Sequence, residues 1–509
     1  MSLSTSHSQA ALSRRLEELS KILTQKSPAL LCFSKEEIAG RLLQRAAELW
    51  SFRLPRAYLE EYRLKGYMPT DNQEIKCRGI SLNSDNQLRL SVGFFCSKLF
   101  EFFIYWTYAF LVILISLRIT PKRRKIILLY GVPGEALNSG GSDERFLNFC
   151  RFGPINLLHG SNFLMVQSVG KVRSIDAHAV VYCRFPIIEA LKRSGLNFRL
   201  HLFAICYHLY AALVFLLRLP LHPELILLSK DISFQSAAIV LDSQGLIKNI
   251  AFSNSNLSSQ PLWSWALPNK KFDSHMIWYS QNSFPISYKD EQAAVIFPPL
   301  NYMKVDIHWV WSEGFKSFLE SCCSARNINA VSSIVWHSPS INKISKTDGA
   351  LRIVIFDVTP VNEQFELDHG LIRNFYSEKN MIWFIEDVME VADLVKRRVD
   401  RTVDIAIKHK RENIAIHSAQ YQTIISDFVQ SGVITLVPHD CNIYDLIGDH
   451  DIVISPPYSS PVYIGKEMGK AAFWYDPTDT VDWKLGQPET PLIQGKEALH
   501  HKIKEILEL

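Results

Sequence analysis

The chain is 509 residues long, 47% hydrophobic and 21% charged, with a formal net charge of +4. That length exceeds what one hydrophobic core organises, so two or three domains are expected, and the composition excludes a disordered chain. The small charge excess argues against nucleic acid as a partner, and nine cysteines without CxxC spacing suit a reducing cytosol and carry no zinc signature.

The first twenty residues have no apolar core and do not read as a secretory signal. Residues 10–24 and 34–50 pattern as amphipathic helices, the second with Ile38, Leu42, Leu43, Ala46 and Leu49 at helical spacing. Together they read as a small helical appendage within an N-terminal region, residues 1–120. Residues 99–117 are apolar except for Glu101, and Arg118, Lys122, Arg123, Arg124 and Lys125 follow at once. The run is just long enough to cross a bilayer. The expected role is interfacial, with the basic cluster on anionic headgroups at the inner face of the membrane, and a buried helix and a membrane span are the competing readings. A second apolar run, 202–217, is expected to be a buried core helix.

Residues 125–132 read as the first strand of a doubly wound domain, 121–337, because a strand covered on both faces is a continuous apolar run. Strands are expected at 163–167 and 179–183, a helix at 186–194, and shorter strands at 225–228 and 237–241. Residues 252–259 read as a polar loop, 275–282 as an aromatic and polar segment, and 308–319 as the close of the domain. The polar stretch 338–349, with proline and glycine, reads as the linker. Beyond it, in a domain at 350–509, strands (352–358, 403–408, 434–437, 451–455, 471–475) alternate with helices (374–399, 413–430, 443–448). That alternation predicts a parallel sheet covered on both faces.

The segment 451–477, DIVISPPYSSPVYIGKEMGKAAFWYDP, concentrates the chemistry. A strand ends at Pro456-Pro457, hydroxyls come next at Tyr458, Ser459 and Ser460, and a helix can start there with a serine cap. Unpaired N–H groups and the positive helix end make such a turn an anion site. Ser455-Pro-Pro-Tyr-Ser-Ser460, with Tyr475-Asp-Pro-Thr478 after it, resembles the Pro-Phe-Thr-Ser signature of the polysaccharide biosynthesis PFTS motif proteins. Tyr458-Ser459 stands where that signature has Phe-Thr. The segments at 355–360, 275–282 and 252–263 resemble the same family in order and spacing. The resemblance covers roughly residues 125–480 and implies two Rossmann-like domains facing a cleft, the α/β architecture of GT-B glycosyltransferases.

The function that the resemblance implies is transfer of a sugar from a nucleotide-activated donor to a surface polysaccharide or a lipid-linked acceptor. The reaction would be inverting and metal-independent, with no cofactor beyond the donor, on the cytoplasmic side of the membrane. A nucleotide-sugar epimerase or hydrolase, or a non-catalytic sugar-binding component of a polysaccharide assembly, is the alternative.

Residue by residue, Ser455, Tyr458, Ser459 and Ser460 are the candidates for the donor phosphate. Lys408, Lys410 and Arg411, at the end of a strand, supply positive charge, since arginine forks onto oxyanions and lysine brings a mobile charge. His409 stands between them without the proline that comes after the corresponding histidine in related transferases. Thr359 can reach a phosphate or sugar hydroxyl, while Asp357 equally suits the next loop's backbone. Asp476 can bind a ribose hydroxyl or simply open an Asp-Pro turn. Asp143 and Glu144, with Glu135 third, lie in the glycine-containing loop after the first strand and are the candidate general bases. His275, Trp278, Tyr279 and Asn282 form a candidate acceptor wall, or else an aromatic strand in the core.

Overall fold

The computed structural model describes all residues except 1–13, 16, 49–74, 78, 84, 86, 118–124, 133–148, 151–152, 154–156, 158–160, 162, 168–172, 176–177, 254–259, 281–283, 292–297, 333–349, 370–373, 399–401, 411–414, 440, 485–489 and 508–509. The linker at 338–349, Glu135, Asp143, Glu144, Asn282 and Arg411 therefore lie outside the described residues.

Near the amino end, residues 17–26 and 35–48 are helical. The second helix opens on a capping box. The Glu37 N–H donates to Ser34 Oγ at 3.2 Å, and the Ser34 N–H donates to the Glu37 carboxylate at 2.8 Å. Its inner face is not a loose attachment. Arg41 Nε lies 3.1 Å from the Asp231 carboxylate with both side chains buried, and Gln44 donates to the Tyr302 carbonyl at 2.7 Å. A three-stranded meander comes next, β1 (Ile75–Cys77), β2 (Ile80–Leu82) and β3 (Leu88–Leu90). Ser91 then caps a helix at Val92–Ile115 by accepting the Phe94 N–H.

The first large sheet contains β4 (Ile126–Tyr130), β5 (Phe163–Gln167), β6 (Arg173–Ile175), β7 (His178–Cys183), β8 (Ile247–Ser253), β9 (Asp273–Ile277), β11 (Ile307–Val310) and β12 (Asn327–Ala330); β10 (Ser287–Tyr288) lies outside it. Its order is β12-β11-β9-β8-β4-β5-β7-β6, and every pairing is parallel except β6 with β7. The direction of winding reverses between β4 and β8, where Ser253 Oγ donates to the Gly131 carbonyl at 2.5 Å.

The second sheet contains β13 (Leu351–Phe356), β14 (Val403–Lys408), β15 (Thr435–Val437), β16 (Ile452–Ser455), β17 (Ala471–Asp476) and β19 (Leu492–Gln494), with β18 (Val481–Asp482) outside it. The order β15-β14-β13-β16-β17-β19 places this domain's third strand first, then its second, first, fourth, fifth and sixth, all parallel. That is the doubly wound order whose ligand crevice opens at the carboxyl ends of the first and fourth strands. The expected α/β class with two parallel sheets is what the chain forms.

Two expectations in the first domain fail for one reason. Residues 225–228 and 237–241, expected as strands, belong to a 3-10 helix at Pro223–Leu228 and a helix at Ser229–Ser243. Nearly every residue of the latter is buried, so it has no polar face and shows no helical period. The run at 202–217, expected to be buried, lies in a helix at Phe198–Arg218 that is inside on one side only. His201, Ala204, His208, Ala211 and Phe215 face inward, while Leu202, Phe203, Leu209, Tyr210, Leu213 and Leu217 are exposed. It packs beside helix Val92–Ile115, where Trp106 stacks on His208 at 5.2 Å and His208 Nδ1 lies 2.9 Å from Ser236 Oγ on the buried helix beneath. The first helix likewise exposes Phe100, Phe103, Ile104, Leu111, Leu114 and Ile115. Both helices are long and apolar enough to cross a membrane.

The two domains meet along a short seam. β10 pairs antiparallel with β18, and the Lys289 N–H donates to the Thr480 carbonyl at 2.9 Å. Phe284 packs on Tyr458, with ring centroids 6.0 Å apart.

Candidate functional site

β13 and β14 run parallel with Phe356 opposite Lys408, so the next residues, Asp357 and His409, emerge side by side. Both are buried. One Asp357 oxygen lies 2.5 Å from His409 Nδ1 and accepts the Tyr421 hydroxyl at 2.9 Å. The other accepts the Lys410 N–H at 3.1 Å and the Thr359 hydroxyl at 3.2 Å. This bond assigns Nδ1 to the carboxylate and leaves Nε2 as the ring's other functional atom. Burial alone would lower the His409 pKa, but the hydrogen bond and charge of Asp357 outweigh it and the pKa is raised. The result is a buried imidazole biased toward its cationic form, at the carboxyl edge where a doubly wound sheet takes its ligand.

The neighbouring lysines divide the work differently from expectation. Lys408 is buried, and its Nζ donates to the His439 carbonyl at 2.6 Å and the His409 carbonyl at 3.4 Å. It ties the loops after β14 and β15 together rather than reaching outward. Lys410 is exposed at the same edge.

On the other side of the switch point, β16 delivers Ser455 and the Pro-Pro-Tyr-Ser-Ser turn. Ser455 and Ser459 hydrogen-bond to each other, and Ser459 Oγ also donates to the Pro456 carbonyl at 3.0 Å. The Tyr376 hydroxyl donates to the Pro457 carbonyl at 2.7 Å, and Trp474 Nε1 donates to the Ser459 carbonyl at 3.0 Å. Ser460 begins the helix at Pro461–Glu467 without a side-chain cap bond, and Pro461 fits that first position because its missing N–H is one the helix leaves unpaired anyway. The serines thus brace a rigid turn. Tyr458, expected to face the donor, does not. Its φ of 63° turns the ring inward, where it is buried between Phe284, Trp474 and Trp483. A non-glycine residue in that region is a strained position that surrounding packing must hold.

Asp476 is also corrected. It is fully buried, and its carboxylate accepts the Thr478, Thr480 and Val481 N–H groups at 2.8, 2.9 and 3.0 Å and the Thr478 hydroxyl at 2.6 Å. A carboxylate holding four local donors shapes the turn that carries β18 to the other domain. It does not present itself to a ribose. Thr359 is directed at Asp357 and is a support for it rather than a separate ligand.

Of the acceptor wall, His275 and Trp278 sit on or beside β9, an interior strand whose two faces are both covered. Trp309 Nε1 donates to His275 Nδ1 at 3.2 Å and Trp278 Nε1 donates to His308 Nδ1 at 3.1 Å. An indole only donates, so both nitrogens accept, which a doubly protonated ring cannot do. Burial accordingly holds the His275 pKa down at about 4. This pair of Trp–His bonds belongs to the core. Tyr279 alone of the described members is half-buried.

Residues 207–503 match the family described as polysaccharide biosynthesis PFTS motif protein, more than half of the chain and part of both sheets. The chain belongs to that family. No curated protein matches. Among solved structures, the wall teichoic acid polymerase TagF is 8% identical over 81% of this chain and 88% of its own, with a TM-score of 0.40. Sucrose-phosphate synthase from Thermosynechococcus elongatus is 10% identical over 76% and 90%, at 0.39, and a glycosyltransferase from Rickettsia africae is 12% identical over 76% and 89%, at 0.33. Likenesses this distant say nothing of the chemistry of this chain.

In this PFTS family member, sequence raises Asp357 and His409 without assigning either to the site, and it does not raise Tyr421. Their signal is nonetheless present: an acid and a histidine each close a buried strand, and adjacent parallel strands of equal length bring their ends together.

Proposed function

We propose that this PFTS family member is a glycosyltransferase of GT-B form. It moves a sugar from a nucleotide-activated donor to a surface polysaccharide or a lipid-linked acceptor, with inversion and without a metal. The observation that carries the reading is the Asp357–His409 pair at the carboxyl edge of β13 and β14. An imidazole whose cationic form a carboxylate favours, with exposed Lys410 beside it, is suited to a leaving phosphate. In the reaction the acceptor hydroxyl oxygen bonds to the anomeric carbon as the carbon–oxygen bond to phosphate breaks. The nucleotide departs with the bonding electrons, and Asp143 or Glu144 takes the hydroxyl proton. Arg411, Ser459 and Ser460 complete the donor side, the serines by holding the turn. The exposed apolar faces of the helices at 92–115 and 198–218 support attachment to the inner face of the membrane, with the body of the protein in the cytoplasm.

The test has two arms. Nucleoside mono- and diphosphates, cytidine and uridine first, are screened by thermal shift; a ligand at 100 times its Kd adds about 2.7 kcal/mol. His409→Ala and Lys410→Ala are then assayed for transfer in the presence of a chelator. Losses of roughly 100-fold or more are expected, on the scale of removing one preorganised charge donor. Undiminished turnover in both variants, or no nucleotide-dependent shift, overturns the reading.

A further inference from the structure

A second concentration of positive charge lies in the first domain. A cleft open to solvent lies where β4, β5 and β7 end, closed from the side by helix 35–48 and by the start of helix Ser229–Ser243. Among the described residues, Arg41, Arg45, Arg184 and Lys230 line it, against one carboxylate, Asp231. That carboxylate is already engaged by Arg41 and by the Leu262 N–H at 2.7 Å. Arg45 pairs with Glu48 through one terminal nitrogen at 2.9 Å, while its buried Nε has no hydrogen-bond partner among the described residues. Lys230 Nζ and the Arg184 guanidinium lie 5.4 and 5.3 Å from the centre of the Phe185 ring, so both cations converge on one wall. Burial, with Arg45 close by, lowers the Lys230 pKa and pushes that of Arg41 down to about 10, whereas at Arg45 the Asp231 and Glu48 carboxylates outweigh burial and raise the pKa. Cations crowded in this way are relieved by a bound anion.

The same wall leads to the apolar surface. Phe185 packs on Tyr105 and Tyr108 of helix Val92–Ile115 at 5.5 and 5.7 Å, and Tyr108 is 40% exposed. Exposed Ile104 and Leu111 flank it one turn away on the same helix. A ligand with an anionic head in the cavity and a hydrocarbon tail on the helices satisfies both surfaces at once. A soluble phosphate compound satisfies only the first.

We propose that this cavity binds the phosphate or diphosphate of a membrane lipid whose chain lies along the exposed face of the helices at 92–115 and 198–218. On the transferase reading, on which only this last step rests, that lipid carries the acceptor.

The experiment uses the full chain and flotation with phosphatidylcholine vesicles doped with undecaprenyl phosphate, or with the same fraction of phosphatidylglycerol. The expected result is at least tenfold tighter association with the undecaprenyl phosphate vesicles. Lys230→Gln combined with Arg184→Gln should abolish that preference while leaving the melting temperature and binding to undoped vesicles unchanged. Equal binding of the unmodified protein to both doped vesicles reduces the effect to general surface charge and overturns the proposal. So does a preference that survives the double substitution. A thermal shift with inorganic pyrophosphate, without any vesicle preference, marks a site for soluble phosphate and also overturns it. The nucleotide thermal shift is measured alongside. If it persists while the vesicle preference is absent, only the lipid assignment falls; if it is absent while the preference holds, the transferase reading falls and the lipid site stands.

Discussion

At Asp357 a single buried carboxylate accepts a histidine ring, a tyrosine hydroxyl, a threonine hydroxyl and a backbone N–H. Because the His409 pKa is raised, the stability this pair contributes is complete below the ordinary histidine value of about 6.5 and is lost as pH rises through the raised value. Asp357→Asn should bring the His409 titration back down, as followed by NMR, and should flatten the fall in urea midpoint above about pH 6.5. An unmoved titration would show that some other group sets it. The residue scale is also where sequence is least informative. Asp476 and Asp357 both close strands, yet one folds a turn and the other holds a histidine; the difference depends on what the neighbouring strand places beside them. Tyr458, His275 and Trp278 have side chains suited to sugar or base, and their burial comes from a positive φ and an interior strand, neither of which is written locally.

The helix at Pro461–Glu467 shows how one element is held in place. A Cβ on Gly465 would lie 2.9 Å from the Ala472 Cβ and 3.0 Å from a Val453 methyl, so the helix lies directly on β16 and β17. Gly465→Val should destabilise the protein by roughly 3 kcal/mol, read from denaturant midpoints, because rigid strand side chains cannot move aside. The apolar helices behave in the opposite way. Leu111→Gln with Leu213→Gln alters exposed positions, so stability should change by about 0.5 kcal/mol or less while vesicle association drops several-fold. Unchanged flotation would remove these helices from the membrane contact. Elements with a clean polar break are legible: the strand at Val403–Lys408 and the helix at Ile443–Gly448 fall on the expected residues. β8, β12 and β19 are strands that sequence does not announce, since IKNIAFS mixes polar and apolar residues without alternation and NINA and LIQ are very short. The helix at Ser229–Ser243 reads as strand because enclosure on all sides erases the period that identifies a helix.

For the whole molecule, the second doubly wound sheet is implicit in the β/α alternation after the linker, and the crossover rule leaves little freedom beyond it; the first is legible only in its opening strands. The alternation does not contain the seam. That depends on Asp476, which organises the turn between β17 and β18 from inside the second domain. Asp476→Ala leaves several buried donors without an acceptor and should cost about 3 kcal/mol. Limited proteolysis should then cut near residues 476–482 sooner than in the unmodified protein; an unaltered digestion pattern would mean that the turn holds without it.

The pairing of β10 with β18 also has a mechanical consequence. Because it lies between the two lobes and is backed by the Phe284–Tyr458 contact, it can act as a pivot whose own atoms barely move when the lobes swing. Displacement then grows with distance from that axis. Fluorophores attached at positions far from it should report opening and closing, while a pair placed across Lys289 and Asp479, whose side chains form an ion pair at 2.7 Å, should stay silent.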